Sequence, residues 1–315
     1  MLSRRSARVK VMQIIYALKS GNLKNNDLLN AELENSMLQP VHMLLYLMML
    51  LRELALYSET DTNIKASKYL PNEVDKLPSN VILNNPVVSE LISNTEFDKL
   101  IQNNMLSARL NKDIVRLLFN QLSASEEFLN YKKLEKRSSE DEVNIIRFIE
   151  EEIFRRSEDL DTLMMELFGH WHDDDDLVYI HFNMLLSDLS KGLGISRLSV
   201  FADKNKEIFN FGHKLLNNSI GRYDEYSELI APKIKNWEID RIAKVDLVLM
   251  VMAISEILDF PTIPVKVTIN EYIDISKIYS TPKSREFVNG ILDKLMKEMN
   301  DSGQIVKTGR GLQNN

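Results

Sequence analysis

Apolar residues recur at helical spacing along most of the chain. No useful length of sequence alternates apolar with polar positions, so the pattern predicts helices and no sheet. The clearest stretch is 236–296. Between Asp246 and Leu258, residues Leu247, Val248, Met250, Val251, Ile254, Ile257 and Leu258 form one broad stripe. Phe260-Pro261 ends that helix, because the residue before a proline is pushed out of the α region. Pro264 suits a first helical position, where its missing N–H is no loss. Ile269, Ile273, Ile275 and Ile278 carry the next stripe. Thr281-Pro282 breaks it, and Ser284 to Met296 forms a last helix. Gly290 inside that helix costs ~1 kcal/mol against alanine, which predicts a close packing contact there.

The first helix is predicted over residues 3–19, capped by Ser3. At about 100° per residue, Ala7, Val11, Ile14 and Leu18 share a core face, and Arg5, Arg8, Met12, Tyr16 and Lys19 share the opposite one. Arginines beside an aromatic ring are what single-stranded RNA asks for: cations for phosphates and a flat surface for an unstacked base. Taken by itself, Tyr16 reads better as a half-buried ring with a solvated hydroxyl. Gly21-Asn22 closes the helix. Further helices follow over Val41–Tyr57, bounded by Pro40, and over Ile114–Leu134 and Val143–Phe154. Asp159–Trp171 and Asp176–Leu193 are two more, the last ended by Gly192 and Gly194. Phe209, Phe211, Leu215 and Leu216 then lead into Tyr223–Ile230. Residues 301–315 hold little apolar content and are expected to be disordered.

The order NW-x-x-x-RI, VD-x-x-L-x-x-x-A-x-x-EIL, IP-x-KV-x-INE-x-I-x-I-x-K and S-x-x-FVNGILD resembles the carboxy-terminal helices of the NusB antitermination factors. It is carried here by Trp237, Arg241, Ile242, Val245, Asp246, Glu256, Ile263, Pro264, Lys266, Val267, Ile269, Asn270, Glu271, Lys277 and Phe287 to Asp293. A second match, R-R-x-A-R-x-x-x-x-Q-x-x-Y, lies in the first helix at Arg4, Arg5, Ala7, Arg8, Gln13 and Tyr16. The resemblance implies an all-α fold of paired helical bundles. Its core would comprise 1–24 and 200–300, with a large helical insertion over 25–199.

Composition narrows the chemistry. The chain has 315 residues, 44% of them hydrophobic, and no cysteine, which excludes disulfides, thiolate metal sites and a cysteine nucleophile. Apolar runs such as Met43–Leu51 fall short of a membrane span, so a soluble cytoplasmic protein is expected, with no membrane partner. Net charge is −7, yet residues 1–24 hold six cations and no acid. A basic end on an acidic body is an electrostatic footprint for a polyanion at one place, or a solvated tail. No Walker loop, G-x-G-x-x-G or G-x-S-x-G occurs. The Gly-rich cofactor loop and cysteine of NusB-fused RNA methyltransferases are likewise missing. His170, His172, Asp173, Asp174, Asp175, Asp176 and His181 could hold a divalent metal, but four aspartates opening a helix also complement its dipole.

The corner 281–287 is the second candidate RNA surface, because Lys283 and Arg285 lie near a helix amino terminus that already favours anions. The resemblance implies that this corner lies beside the arginine-rich helix and holds boxA RNA, with Arg4, Arg5, Arg8, Lys283, Ser284 and Arg285 toward phosphates. It gives Tyr16 and Phe287 stacking faces, although Phe287 also reads as core. Family members often carry an acid where Lys283 stands. The implied partner is the ribosomal protein NusE, and through it the RNA polymerase elongation complex, with no cofactor and no catalysis. Two other readings remain: a helical scaffold or homodimer that uses the insertion or buries the arginine-rich helix, and a metal-dependent hydrolase.

Overall fold

The computed structural model describes residues 3–21, 28–70, 75–190, 206–234 and 243–312. Trp237, Arg241, Ile242, Gly192, Gly194, Asn22 and Lys24 lie outside them. Among the described residues every regular element is helical. The helices are α1 (Arg4–Lys19), α2 (Leu29–Ala66), α3 (Pro86–Ser93), α4 (Thr95–Asn103), α5 (Lys112–Ala124), α6 (Glu126–Lys133), α7 (Ser139–Phe148), α8 (Glu158–Leu167) and α9 (Trp171–Ser190). Then come α10 (Lys206–Gly221), α11 (Tyr223–Ile230), α12 (Lys244–Asp259), α13 (Val265–Tyr279) and α14 (Ser284–Asp301). The chain forms two compact units, one of Leu38–Lys204 and one of Leu2–Met37 with Asn205–Asn315.

In the first unit α2 is the central helix. Met43 to Leu51 are all buried, in one cluster with residues of α3, α5, α6, α7 and α9. A helix that is apolar all round is a core helix. α2 is long and apolar enough to cross a membrane, but 72% of its apolar window is buried within the protein. Pro40 does not bound α2 as expected. It sits inside the helix, where it removes one backbone hydrogen bond, and surrounding burial holds the helix together. The single helix expected over Ile114–Leu134 is two, divided at Ser125, whose hydroxyl accepts from the Phe128 amide and caps α6. α9 begins at Trp171, so the four aspartates fall inside its opening turns. Among the described residues no three His, Asp or Glu side chains converge on a metal position.

In the second unit α12 is central, with Val248 to Ile257 all buried. α1, α10, α11, α13 and α14 pack around it. α1 opens on a capping box: Ser3 and Ser6 each accept from the other's backbone N–H. The buried side of α13 runs through Thr268, Ile269, Tyr272, Ile275 and Ser276, and Ile278, expected in that stripe, is exposed. Gly290 was expected to mark close packing, yet a Cβ there would meet nothing within 4 Å.

Of the segment 301–315, expected to be disordered, residues 301–312 are described and pack back on the unit, and 313–315 lie outside the described residues. Gly303, at φ +70°, turns it back from α14. Lys307 then buries its ammonium and donates to the carbonyls of Ile257 (2.7 Å) and Phe260 (3.1 Å), and the Thr308 amide donates to Pro261. These carbonyls sit at the end of α12, where helical partners run out. Gly311 passes so close that a Cβ would collide with the Pro261 carbonyl oxygen. Composition misreads the segment because one well-placed lysine and one glycine, not apolar bulk, secure it. Burial pulls the Lys307 ammonium down to about 8.

Candidate nucleic-acid interface

α1 brings its arginines to three different environments. Arg4 is at the surface, with its guanidinium 2.6 Å from Glu207 on α10. Arg5 is exposed, with Nη1 3.6 Å from an Asp274 oxygen on α13. Arg8 is buried, only 3% exposed. Its Nε and Nη2 donate to the two oxygens of Glu256 at 2.7 and 2.6 Å, and Nη1 donates to Glu271 at 3.3 Å. Thr268 and Tyr272 complete the shell by donating their hydroxyls to Glu256 at 2.9 and 3.0 Å. Burial alone would lower the Arg8 pKa, but hydrogen bonds and charge from Glu256 outweigh it and raise the value further. Burial, with the Glu256 charge behind it, likewise pushes the Tyr272 hydroxyl well up. Arg8, expected to meet phosphate, is therefore an internal ion-pair anchor with no face left for a ligand.

The corner before α14 divides in the same way. Lys283 and Arg285 are exposed. Ser284 is not: it is 2% exposed, and its hydroxyl donates to Asp246 at 2.6 Å and is shared with Ser280 and Thr281. It locks the corner onto the start of α12 and does not face a phosphate. Phe287, at 7% exposure, is core and not an open stacking platform. Helix phase explains both, since Ser284, Phe287, Val288 and Ile291 form the buried stripe of α14.

What remains open is a pocket of about 460 Å³ where α1, α12 and α13 meet. It is lined by Met12, Gln13, Tyr16, Lys244, Val245 and Tyr279. Tyr16 is 41% exposed and Lys244 is exposed. Two phenols, a methionine and an ammonium at the rim make a site that can take a flat ring and an adjacent anion. Lys244 and Tyr279 were not foreseen. The signal was the 3–4 spacing Thr268, Tyr272, Ile275, Ser276, Tyr279, which directs Tyr279 inward where Ile278 had been expected. Elsewhere on this unit, Lys277 and Arg285 line a groove with Asp274, whose carboxylate Arg5 approaches. The hydrogen bond from Lys277 holds the Asp274 carboxyl below its ordinary value, and the charges of Arg5 and Arg285 add to that.

The remaining cluster of interest is in the first unit. His170 lies 3.6 Å from Asp173, the His181 ring faces the Leu177 carbonyl at 2.8 Å, and Asp176 lies 3.6 Å from Arg155. Each of these groups has a local partner, as expected at a helix start.

Residues 188–297 match the NusB family profile. The chain is 41% identical over 110 residues to the transcription antitermination protein NusB of Salinibacter ruber, a span of 35% of this chain and 69% of that protein. It is 44% identical over 119 residues to that of Chloroherpeton thalassium, 38% of this chain and 56% of the relative. It is 43% identical over 83 residues to that of Natranaerobius thermophilus, 26% of this chain and 58% of the relative. No solved structure matches.

Proposed function

The chain belongs to the NusB family, and on that footing we propose that it is a transcription antitermination factor that binds boxA RNA jointly with the ribosomal protein NusE. The observation that carries the reading is the pocket of Tyr16 and Tyr279 with Lys244 at its rim, on a unit that also exposes the cations Arg5, Lys283 and Arg285. One unstacked base enters between the phenols, and the cations take the phosphates on either side. We assign this role to the second unit, and treat the first as an insertion that leaves the RNA chemistry to it. The factor acts by binding and not by catalysis, in the cytoplasm, and meets RNA polymerase through its partners. NusE adds surface and orders the site, so RNA and NusE strengthen each other's binding by the same factor.

The test is fluorescence anisotropy of labelled boxA RNA, with and without NusE, against a scrambled RNA. Tighter binding to boxA, further tightened by NusE, is expected. With Arg8 withdrawn, four or five phosphate contacts remain, which gives a log–log salt slope of about −3 for single-stranded RNA. Equal affinity for the scrambled RNA in the presence of NusE would sink the reading.

A further inference from the structure

A second groove, of about 610 Å³, runs between α13 and α14. α13 contributes Asn270, Ile273, Asp274 and Lys277 to it, and α14 contributes Arg285, Glu286 and Asn289. Packing does not explain it. Among the described residues, the side chains of Asn270, Glu286 and Asn289 make no hydrogen bond or ion pair. Gly290, one turn beyond Glu286 on the same side of α14, weakens the helix yet has open space around it. A mid-helix glycine with nothing packed on it leaves room for an outside group to come close to the backbone. The groove is also joined to the RNA face, because Asp274 is the carboxylate that Arg5 of α1 approaches.

We propose that this groove is a second nucleotide subsite, which takes the base of another nucleotide of the same RNA strand and reads its polar edge. The proposal rests on the RNA reading above and names what that reading lacks, a source of base discrimination. A base edge presents donors and acceptors side by side, and each amide of Asn270 and Asn289 offers one of both. Glu286 accepts from an exocyclic amine, and Ile273 supplies an apolar patch for the ring. The floor does not suit a phosphate, since its two carboxylates balance its two cations. Nor does it suit a protein helix, which needs an apolar seam where this groove offers only Ile273. Arg5 and Arg285 at the edge hold the backbone while the base turns in.

The experiment compares wild type with the Asn270→Ala/Asn289→Ala double variant and with Gly290→Leu, by anisotropy against boxA RNA and a series of single-base substitutions of it. A Cβ at position 290 meets nothing within 4 Å and leucine favours the helix over glycine, so the melting temperature of Gly290→Leu should equal or exceed that of wild type. The double variant should bind boxA ~5–10-fold more weakly, in line with one or two lost hydrogen bonds. It should also lose discrimination at one base position and keep the wild-type salt slope. Gly290→Leu should weaken binding while remaining folded. If both variants keep the wild-type affinity and base profile while Tyr16→Ala still weakens binding, the groove is not a subsite and the RNA reading survives. If wild type itself does not prefer boxA, both fall together. Variants that disturb a protein partner but not RNA would also overturn the proposal.

Discussion

Replacing Arg8 with alanine separates the two roles an arginine in this first helix can have. The side chain makes three charge-assisted hydrogen bonds, two of them to the fully buried Glu256. Without it, Glu256 keeps, among the described residues, only the hydroxyls of Thr268 and Tyr272 as donors. Removing one partner of a buried pair destabilises by ~3–5 kcal/mol, because a charge is left uncompensated in a place water does not reach. Loss of the packed methylene stem adds to this. For a unit of roughly 150 residues, each kcal/mol moves the melting point by about 2–4 °C, so a fall of ~6–20 °C is expected. Thermal and urea melts of Arg8→Ala measure it. Combining Arg8→Met with Glu256→Leu should recover part of the loss, since an apolar pair can replace an ionic one. Recovery stays partial because Thr268 and Tyr272 then lack their acceptor. The reasoning fails if Arg8→Ala melts with wild type while its RNA affinity falls and its salt slope flattens by ~0.7, the signature of one lost phosphate contact.

Phe287→Ala should cost ~3–5 kcal/mol of stability as a buried aromatic truncation. RNA affinity should be retained at temperatures where the variant is folded, and a large affinity loss in a fully folded variant would contradict its burial. Tyr279→Ala should instead weaken RNA binding by ~1–3 kcal/mol, checked by the same anisotropy titration. For Lys307, the folded ammonium titrates at about 8 and the unfolded one at 10.5. Between these values the unfolded chain holds more protons, so this group's contribution to stability rises with pH. The difference in melting temperature between wild type and Lys307→Met should therefore change in favour of wild type from pH 8 to pH 10, and a flat or opposite trend would remove the buried-charge explanation.

The central helix α12 was legible because its apolar run and its proline-marked end are both local. Arg8 was not. Its phase on α1 placed it opposite the core face, and only partners 248 and 263 positions away turn that side inward as well. A one-sided reading of a helix fails wherever a second helix covers its other side with acids. The same limit explains Ser284 and Phe287, which share a motif with exposed Lys283 and Arg285 but differ from them in phase. Lys307 and Gly311 escaped because the carbonyls that the one donates to and the other passes closely lie about fifty residues earlier. Tyr279 was within reach, since the choice between it and Ile278 turns on one residue of helical register. Gly290 was read for packing when its surroundings are open.

The reach of the Arg8–Glu256 pair also bears on how this chain tolerates its length. Closing a flexible loop becomes harder only with the logarithm of its length, by ~0.6 kcal/mol for each doubling. The link between α1 and α10 is 186 residues, 20 to 205, and relative to a hypothetical link of about ten residues it adds only ~2–3 kcal/mol, less than breaking the pair would forfeit. The penalty appears in time instead. α1 leaves the ribosome with a guanidinium that has no counter-charge until the chain beyond Glu271 has followed, so the second unit can close only after nearly everything else has been made. Refolding of this unit should be slow, and its rate should depend on the intervening segment far more than its stability does.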